Sequence, residues 1–385
     1  MTYHQKISVP FEYDVVFTKH VFAPQNDSLA GVLKTDPARL VFFVDDGLLP
    51  HWPGLGENIA AWCDARADSI ELAAEVQVVP GGEKIKNSID ILDRVGKLAG
   101  DLGLDRHSYA VIVGGGAVLD AVGFAVATVH RGLRQVRIPT TVLSQDDSGV
   151  GVKNGLNRFG MKNFYGTFAP PAAVINDTEF LKTLELRDWL AGIAEAFKVA
   201  IIKDRPFLDF LAENAELLVS RDQEAMEEVV RRTATLHLDH IRSGGDAFEA
   251  GSSRPLDFGH WVAHRLEAMT DYELRHGEAV AIGMAVDMHC AVDLGLLTES
   301  ERDFAISAIR AMGLPLWHEA MLRRDCDGEL ELMVGLAQFR EHLGGELTLA
   351  MPNGLGQQVD ISDLPRAFIE KALEALRAAA AGGDR

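Results

Sequence analysis

The amino-acid sequence predicts an α/β domain built on a parallel sheet, followed by a mostly helical domain. The chain has 385 residues, 47% of them hydrophobic, which is enough for two cores. Its first half alternates short apolar runs with helical stretches, an order typical of a parallel sheet covered by helices. Its second half consists mainly of long amphipathic or apolar segments. We place the boundary between residues 1–185 and 186–385.

The first half presents its elements in a regular order. The apolar run VFFVDD comes first, and the predicted helix GENIAAWCDARA follows it. The run ELAAEVQVVP is next, then the helical stretch NSIDILDRVGKLAGDLG, then YAVIVGGGAVLDAVGFAVATV, which reads as a strand, a glycine turn and a helix. This alternation predicts that helices connect parallel strands.

The second half has few runs with the pattern of a strand before GELTLAMP. Helices are predicted in DWLAGIAEAFKVAIIKD, QEAMEEVVRRTATLHLDHIR, HGEAVAIGMAVDMHCAVDLG and SERDFAISAIRAM. We therefore expect the C-terminal domain to be mostly α-helical.

Charge and cysteine content limit the function classes. The formal net charge of −20 has no basic run to offset it, which disfavours binding to nucleic acid or to an anionic membrane. Three separated cysteines predict neither a disulfide framework nor a metal knuckle. The N-terminus lacks the apolar core of a signal peptide, and no run of ~20 apolar residues is present. We expect a cytoplasmic protein.

Three potential metal ligands stand in helical contexts of the second half: Glu195, His260 and His276. Two imidazoles and a carboxylate suit a divalent metal such as zinc and leave coordination positions open for substrate oxygens. Lys198 shares a helix face with Glu195, and His264 shares one with His260. These faces are predicted to meet at one pocket. The alternative is that each histidine is an ordinary core or surface residue.

A glycine-rich turn follows one predicted strand and precedes a helix, at Gly114, Gly115 and Gly116. At such a turn, bare amide groups and the helix N-terminus can approach a pyrophosphate. The segment does not match GxGxxG, so a simple tight turn is the alternative interpretation. It indicates a dinucleotide only together with other residues.

Further polar residues stand at strand ends of the first half. Asp45 ends an apolar strand, a position from which a carboxylate accepts hydrogen bonds from a ribose. Glu83 and Lys86 follow a later strand. The segment RIPTTVLSQDDSGVGVKNG adds hydroxyls, two carboxylates and a lysine. Any one of these is more often a solvated loop group, but together they favour a bound nucleotide.

The chain resembles the sugar phosphate cyclases, the family of 3-dehydroquinate synthase, in seven segments. These are GGGAVLD, HRG, IPTTVLSQDDSGVGVKNG, MKNFYGTFAPP, TLELRDWLAGIAEAFK, PLDFGH and RHGEAVAIG, in the family's order and at about its spacing. The resemblance implies a Rossmann-like N-terminal domain, a mostly α-helical C-terminal domain and a homodimer. It also implies tightly bound NAD and one divalent metal, zinc or cobalt.

The resemblance also assigns roles to individual positions. The metal ligands would be Glu195, His260 and His276, and the catalytic residues Asp147, Lys153, Lys198 and His264. The substrate would contact Arg131, Lys162, Asn163, Asp257 and Arg340. NAD would contact Asp45, Glu83, Lys86, Gly114, Gly115, Gly116, Asp120, Thr140, Thr141, Lys153 and Thr183.

The family's chemistry is a cyclisation that regenerates NAD in every turnover. The resemblance implies that NAD transiently oxidises a cyclic sugar phosphate, which makes the adjacent C–H acidic, and that phosphate then leaves by elimination. Re-reduction, ring opening and intramolecular aldol closure would follow and give a carbocycle.

Some positions depart from the pattern of 3-dehydroquinate synthase, whose substrate carries a carboxylate. Asp257 replaces an asparagine three residues before His260, Ser253 replaces an arginine, and Asp239 occupies the position of a lysine by ungapped count. A carboxylate at a carboxylate-binding site repels the substrate. The segment RPLDFGH instead resembles cyclases that use sedoheptulose 7-phosphate and form 2-epi-5-epi-valiolone. Glu341, where a second basic residue is usual, agrees with this interpretation.

Three alternatives remain at this stage. His264 matches the 3-dehydroquinate synthase pattern, which keeps that activity as the nearest alternative. A metal-dependent polyol dehydrogenase has a similar architecture but lacks the phosphate-binding lysines, here Lys153, Lys162 and Lys198. A non-enzymatic scaffold is the third alternative, and the complete ligand trio argues against it.

Overall fold

The structure is a computed structural model that describes residues 1–159, 161–243, 247–248, 255–342 and 347–382. The chain forms two compact units. The first comprises Met1–Thr140 and Ser148–Phe180, and the second comprises Thr141–Asp147 and Leu181–Arg385. The domain boundary that the sequence places between residues 185 and 186 stays a prediction.

The first unit is built on a parallel sheet, as predicted. Its strands in chain order are β1 (Asp14–Thr18), β2 (Ala38–Asp45), β3 (Ile70–Leu72), β4 (Gln77–Val79), β5 (Tyr109–Gly114), β6 (Arg134–Pro139) and, after the hairpin described below, β9 (Ala173–Asp177). Among the described residues the spatial order is β1-β9-β6-β5-β2-β3, with β4 also paired to β2. Every one of these pairs is parallel.

Both faces of this sheet are buried. Leu40, Phe42 and Val44 of β2 belong to one apolar cluster, whereas Val41 and Phe43 belong to another. Alternate side chains of a strand point to opposite faces, so the sheet has a core on each side. The helices of this unit are α1 (Ser28–Gly31), α2 (Leu55–Asp64), α3 (Asp90–Leu102) and α4 (Gly116–Thr128). Residues of α2 lie in the first cluster, and residues of α3 and α4 lie in the second.

A hairpin in the first unit was not predicted from the sequence. Strands β7 (Lys153–Arg158) and β8 (Met161–Phe168) pair in antiparallel fashion, with a register shift between Leu156 and Arg158. Their sequences, KNGLNR and MKNFYGTF, contain several glycines and asparagines, which are depleted in strands. Hydrogen bonds across the pair therefore override a weak local preference.

The second unit is mostly helical, as predicted. Its helices are α5 (Leu186–Lys203), α6 (Arg205–Glu213), α7 (Ala215–Val219), α8 (Gln223–Ser243), α9 (His260–Met269), α10 (His276–Asp293), α11 (Glu299–Ala311), α12 (Met333–His342) and α13 (Arg366–Ala381). Strands β10 (Leu349–Pro352) and β11 (Gln358–Ile361) form an antiparallel pair. One large apolar cluster fills this unit, and α5 and α10 contribute long buried runs to it. Within the described ranges, no helix is both long and apolar enough to cross a membrane.

Candidate metal centre and nucleotide site

The structure brings Glu195, His260 and His276 together in the second unit. Their ligand atoms all lie within 4.8 Å of one another. Glu195 Oε1 is 3.8 Å from His260 Nε2 and 3.4 Å from His276 Nε2. The Glu195 side chain is fully buried. A carboxylate oxygen and two imidazole nitrogens thus converge on one point, as a divalent-metal site requires.

Close backbone packing holds the three ligand-bearing helices. A Cβ added at Gly277 would lie 1.7 Å from the carbonyl oxygen of Ala191 on α5, and one added at Gly283 would lie 2.0 Å from the carbonyl oxygen of Gly259. Gly259 itself precedes α9 with φ +78, a conformation that favours glycine. Glycine at these points lets α10 approach both α5 and the turn that carries His260.

A buried carboxylate supports that turn. Asp287 of α10 accepts hydrogen bonds from the backbone N–H of Gly259 at 2.9 Å and from the indole N–H of Trp261 at 2.8 Å. Burial raises the pKa of Asp287 to about 7, and these two hydrogen bonds only partly oppose the rise. The two residues that flank His260 are therefore tied to α10.

Each histidine ligand presents Nε2 to Glu195. The Nδ1–H of His260 donates to the carbonyl oxygen of Phe258 at 3.1 Å, which leaves Nε2 as the available lone pair. Nδ1 of His276 lies 3.3 Å from Oε2 of Glu267. The third histidine, His264, is exposed, but its ring centroid lies 5.4 Å from that of His260 and 6.0 Å from that of His276.

Lys198, Asp147 and His237 form a polar group beside the ligand trio. The Lys198 ammonium contacts Glu195 and lies 3.5 Å from Oδ1 of Asp147. The same Oδ1 is 2.8 Å from Nδ1 of His237 on α8. Asp147 belongs to a short π-helical segment, Ser144–Ser148, a rare form that is frequent at functional sites. Two predicted catalytic residues are thus adjacent to the candidate metal site.

The electrostatics of the trio favour a bound cation. Burial opposes ionisation of Glu195, but the Lys198 ammonium outweighs it and lowers the pKa of Glu195 to about 2. Burial, together with Lys198, lowers the pKa of His260 to about 4, so this imidazole is neutral at pH 7, as a metal ligand must be. Burial likewise opposes charge on His276, but Glu267 and Glu195 raise its pKa to about 9, so a metal that binds here would displace the proton from Nε2 of this imidazole. The side chains present therefore fit a divalent metal.

Four other residues that were predicted to contact substrate or NAD also lie in the second unit or at its start. Asp257 ends the 3-10 turn Pro255–Asp257 just before His260 and is partly buried. Burial opposes charge on Lys198, but Asp147 and Glu195, and more weakly Asp257, raise its pKa above the ordinary value. Arg340 is exposed on α12. Thr141 donates a hydrogen bond to Ser144 Oγ at 2.8 Å, and Thr183 ends the 3-10 segment Thr178–Thr183.

Some substrate-site predictions fall elsewhere. Ser253 and its neighbour Arg254 lie outside the described residues. Asp239, matched to a lysine position by counting, is a half-exposed residue of α8 whose carboxylate pairs with Arg242 at 2.6 Å. The α8 residue that reaches Asp147 is His237, two positions earlier. The match of Asp239 to that lysine position stays a prediction. Glu341 is exposed at the end of α12.

The first unit places Asp45 and the glycine turn side by side. Strands β3 and β4 lie on one side of β2 and β5 lies on the other, so the strand order reverses between β2 and β5. Ligands of open α/β sheets bind at such a point, beyond the carboxyl ends of the strands. Asp45 ends β2 and accepts a hydrogen bond from the N–H of Gly115, which follows β5, at 3.4 Å. Burial raises the pKa of the Asp45 carboxyl group.

The glycine turn leaves the start of α4 open. Helix α4 begins at Gly116 after Gly115, and among the described residues no side chain caps its first amides. The N–H of Thr140 donates to the carbonyl oxygen of Gly114 at 3.1 Å, which fixes the turn to the end of β6. Open amide groups at a helix N-terminus suit an anionic group such as a pyrophosphate. These residues fit a dinucleotide.

A buried lysine links several predicted residues of the first unit. The ammonium of Lys86 donates to Asp120 Oδ2 at 2.7 Å and to Asn163 Oδ1 at 2.5 Å. Asn157 bridges Glu83, at 2.8 Å, and the backbone N–H of Asn163, at 3.0 Å. Residues assigned to NAD and to substrate by the sequence analysis thus share one hydrogen-bond network, and Asn157 is a member that it missed.

Three other cations predicted to bind substrate or NAD are exposed or partly buried in the first unit. Arg131 ends the 3-10 turn Val129–Arg131 with a positive φ of 65 and is exposed. Lys153 begins β7 and is exposed, whereas Lys162 on β8 is partly buried.

Three residues of the helical unit were not predicted from the sequence. His237, Glu267 and Asp287 lie on α8, α9 and α10, each among other polar residues of its helix. The spacing of Glu267 could have indicated its place in the site. It lies seven residues after His260 and three after His264, so the three side chains share one helix face. The contacts of His237 and Asp287 depend on tertiary packing alone.

The fold and the site define an α/β protein with a nucleotide-type turn at the end of a parallel sheet and a cluster of metal-ligand side chains in a helical unit. Family models agree with this class. Residues 76–191 match the 3-dehydroquinate synthase N-terminal model, and residues 192–335 match the 3-dehydroquinate synthase C-terminal model.

Individual relatives match over nearly the whole chain. A 2-epi-5-epi-valiolone synthase of Streptomyces glaucescens is 34% identical over 95% of this chain and 91% of its own length. A 3-dehydroquinate synthase of Rhodopirellula baltica is 33% identical over 86% of each chain. The solved structure of 2-epi-5-epi-valiolone synthase from Streptomyces hygroscopicus, which has NAD+ and Zn2+ bound, superposes with a TM-score of 0.86 at 30% identity, over 98% of this chain and 99% of that one. The chain belongs to the 3-dehydroquinate synthase family of sugar phosphate cyclases.

Proposed function

We propose that this cyclase acts on sedoheptulose 7-phosphate and forms a carbocycle such as 2-epi-5-epi-valiolone, with NAD and one divalent metal, zinc or cobalt. The observation that carries the choice of substrate is Asp257, a partly buried carboxylate three residues before the proposed metal ligand His260. The relative and the solved structure named 2-epi-5-epi-valiolone synthase support the choice.

Two groups of residues would hold the cofactors. Glu195, His260 and His276 would bind the metal, and the glycine turn with Asp45 would bind NAD. When bound, the metal polarises a ketone oxygen and NAD accepts and later returns a hydride.

The chain's own cations would bind and orient the substrate. Lys198, held between two carboxylates, would donate hydrogen bonds to a substrate hydroxyl. Arg131, Lys153 and Lys162 would bind the phosphate dianion, because charge-assisted hydrogen bonds to phosphate are strong and the protein as a whole is acidic.

A carboxylate at position 257 selects against a carboxylate on the substrate. Two like charges a few ångströms apart repel, whereas the same Asp257 can accept a hydrogen bond from a hydroxymethyl group. The substrate of a 3-dehydroquinate synthase carries the carboxylate, and sedoheptulose 7-phosphate carries the hydroxymethyl group. Identities of 34% and 33% to the two kinds of relative do not separate them, so this residue decides the proposal.

The test compares the two substrates directly. Purified protein with NAD and zinc or cobalt is given sedoheptulose 7-phosphate and, separately, 3-deoxy-arabino-heptulosonate 7-phosphate, and released phosphate and product masses are measured. Release from the first alone is expected. Release from the second alone would show a 3-dehydroquinate synthase with a rebuilt carboxylate site, and net NADH formation from a simple polyol would show a dehydrogenase.

A substitution of Asp257 tests whether its carboxylate determines the substrate. Asp257→Asn is expected to lower kcat/KM for sedoheptulose 7-phosphate by about 10-fold or more, because a hydrogen bond to a charged group contributes about 1.5–3 kcal/mol. Steady-state kinetics with both substrates measure the change. If the ratio of kcat/KM for the two substrates were unchanged, Asp257 would not determine substrate specificity.

We propose that His264 supplies a proton to the departing phosphate. It is exposed and lies beside two ligand imidazoles, so it can reach a bound substrate. His264→Ala is expected to slow phosphate release by about 100-fold or more, the range for general acid catalysis, and to leave NAD affinity nearly unchanged. Equal losses in both quantities would argue against this role.

We also propose a homodimer in a reducing compartment. The support is the family resemblance and three unpaired cysteines, of which Cys63 and Cys290 are buried and Cys326 is exposed. Light scattering of the purified protein at several concentrations tests the dimer, and a monomer at all of them would contradict it.

A further inference from the structure

We propose that Glu267 is a positioning residue of the metal centre, which holds His276 in the tautomer that offers Nε2 to a metal. The proposal rests on the proposed function only in taking Glu195, His260 and His276 as the ligands. It concerns metal binding and is independent of the substrate.

The geometry places His276 between two buried carboxylates. Its Nε2 lies 3.4 Å from Glu195 Oε1, and its Nδ1 lies 3.3 Å from Glu267 Oε2. The two ring nitrogens therefore face different carboxylates. An Nδ1–H that donates to Glu267 leaves the Nε2 lone pair directed at the point where the ligand atoms converge.

Glu267 occupies a position that a carboxylate does not take without a partner. It is only 3% exposed, and burying a carboxylate costs several kcal/mol unless it is paired or hydrogen-bonded. It lies seven residues after His260 on α9, so one helix supplies both a ligand and the support for the other histidine ligand. His276 is the first residue of α10, where the chain has just left a turn.

The two histidine ligands have different supports. His260 donates its Nδ1–H to a backbone carbonyl, that of Phe258, which no side-chain substitution removes. Nδ1 of His276 instead faces the Glu267 side chain, 3.3 Å from Oε2. Partners of this kind orient a ligand imidazole and raise its basicity, and their loss commonly costs 10–100-fold in metal affinity. Removing Glu267 should therefore affect one histidine ligand and spare the other.

One rival assignment uses the same residues. His264, Glu267 and His276 also have ligand atoms within 4.8 Å of one another and could themselves bind a metal. In that arrangement Glu267 would be a ligand, and the protein would bind a second metal equivalent. Stoichiometry separates the two assignments.

Zinc affinity is the first readout, measured by competition with a chromogenic chelator on folded protein at fixed pH. Glu267→Ala is expected to weaken zinc binding by about 10–100-fold, and Glu267→Gln, which keeps an acceptor oxygen, by less. Glu273→Gln is the matched control, because it removes an exposed carboxylate three residues before His276 and should leave affinity unchanged.

Cobalt substitution gives the second readout, with one histidine as internal control. Cobalt-loaded wild-type protein should show two paramagnetically shifted, exchangeable Nδ1–H resonances, from His260 and His276. In Glu267→Ala, or in Glu267→Gln if the alanine variant does not fold, one of the two should exchange faster with water while the other persists.

Each outcome decides the proposal. The proposal is supported if zinc affinity falls most in Glu267→Ala, less in Glu267→Gln and not at all in Glu273→Gln, and if only one N–H resonance is affected. Zinc affinity within about 3-fold of wild type in Glu267→Ala overturns it, as does a wild-type stoichiometry of two that falls to one. Since no turnover is measured, failure of the proposed substrate assignment would leave this result unaffected.

Discussion

A buried carboxyl group without a partner is the least expected single residue of the site. Asp146 is fully buried, and neither of its carboxyl oxygens has a hydrogen-bond partner among the described residues. Burial, with the negative charges of Asp147 and Glu195, raises its pKa well above the ordinary value for aspartate. Residues that lower stability in this way are tolerated mainly near functional sites.

The raised pKa of Asp146 predicts that this residue lowers the free energy of unfolding more at high pH than at low pH. Because the folded state keeps a proton that the unfolded chain releases above pH ~4, the stability linked to Asp146 is present below that pH and is lost as pH rises toward the folded pKa. Asp146→Leu removes the carboxyl group at similar volume. We expect the metal-free variant to gain about 1–3 kcal/mol in free energy of unfolding at pH 8.

Urea unfolding of both proteins in a chelator, at pH 5 and at pH 8, measures the effect. The difference between variant and wild type should be larger at pH 8. A variant that is less stable at both values would mean that Asp146 has a stabilising contact.

Single residues divide into those that sequence reasoning could find and those that it could not. Glu195, His260 and His276 stand in recognisable motifs, and the structure brings them together. His237 and Glu267 stand in no motif. Their importance comes from contacts with Asp147 and His276, 90 residues and 9 residues away in the chain, and tertiary packing alone sets such contacts.

Helix α10 is the element on which the metal site most depends. Its first residue is a ligand, its Asp287 carboxylate ties down the turn before His260, and Gly283 lets that turn approach. A methyl group at position 283 would meet the carbonyl oxygen of Gly259 at 2.0 Å, which backbone atoms cannot accommodate without moving.

Gly283→Ala is therefore expected to lower the free energy of unfolding by about 1–3 kcal/mol or more, and to weaken zinc binding in protein that is still folded. Gly96→Ala is the control, since Gly96 lies within α3 and an added Cβ there meets nothing within 4 Å. Alanine in a helix interior should stabilise that position by about 0.5–1 kcal/mol.

Chemical denaturation and chelator competition on the two variants make the comparison. If Gly283→Ala were as stable as Gly96→Ala, the close approach of α10 to the His260 turn would not be a requirement of the fold.

The reliability of element predictions followed the strength of the local pattern. Long amphipathic segments such as α8 were predicted from their periodicity, and the fully buried strand β5 was predicted from its apolar run. The pair β7 and β8 was missed, because asparagine and glycine have low strand preference and only cross-strand hydrogen bonds stabilise it. The run ELAAEVQVVP overlaps two short strands, β3 and β4, both paired to β2.

At the scale of the whole molecule, the metal should stabilise the folded state. A ligand that binds only the folded protein adds about 2.7 kcal/mol at 100 times its Kd, which raises Tm by about 5–11 °C for a domain of 150–250 residues. All three proposed ligands lie in the second unit. If the protein shows two calorimetric transitions, zinc should shift only one of them.

Differential scanning calorimetry with zinc and with a chelator measures this shift. Glu195→Ala should abolish it, because the carboxylate ligand is lost. A zinc-dependent shift that persisted in the variant would show that zinc binds elsewhere.

The architecture as a whole was predictable from the sequence because the order of elements and the family motifs agree. A parallel sheet followed by a helical region was expected and is observed. The membership of individual segments in the two units was not predictable, because the chain leaves the first unit at Thr141 and returns to it at Ser148. No change in composition marks those points.

That excursion matters for anyone who recombines this enzyme with a relative. The segment Thr141–Asp147 is encoded in the first half of the gene, yet it belongs to the unit that begins again at Leu181. A chimera with a single crossover near residue 185 would join one parent's Asp147 to the other parent's Lys198 and His237, which are its contacts in the folded chain. An exchange of specificity between relatives therefore needs two further crossovers, one on each side of this seven-residue segment.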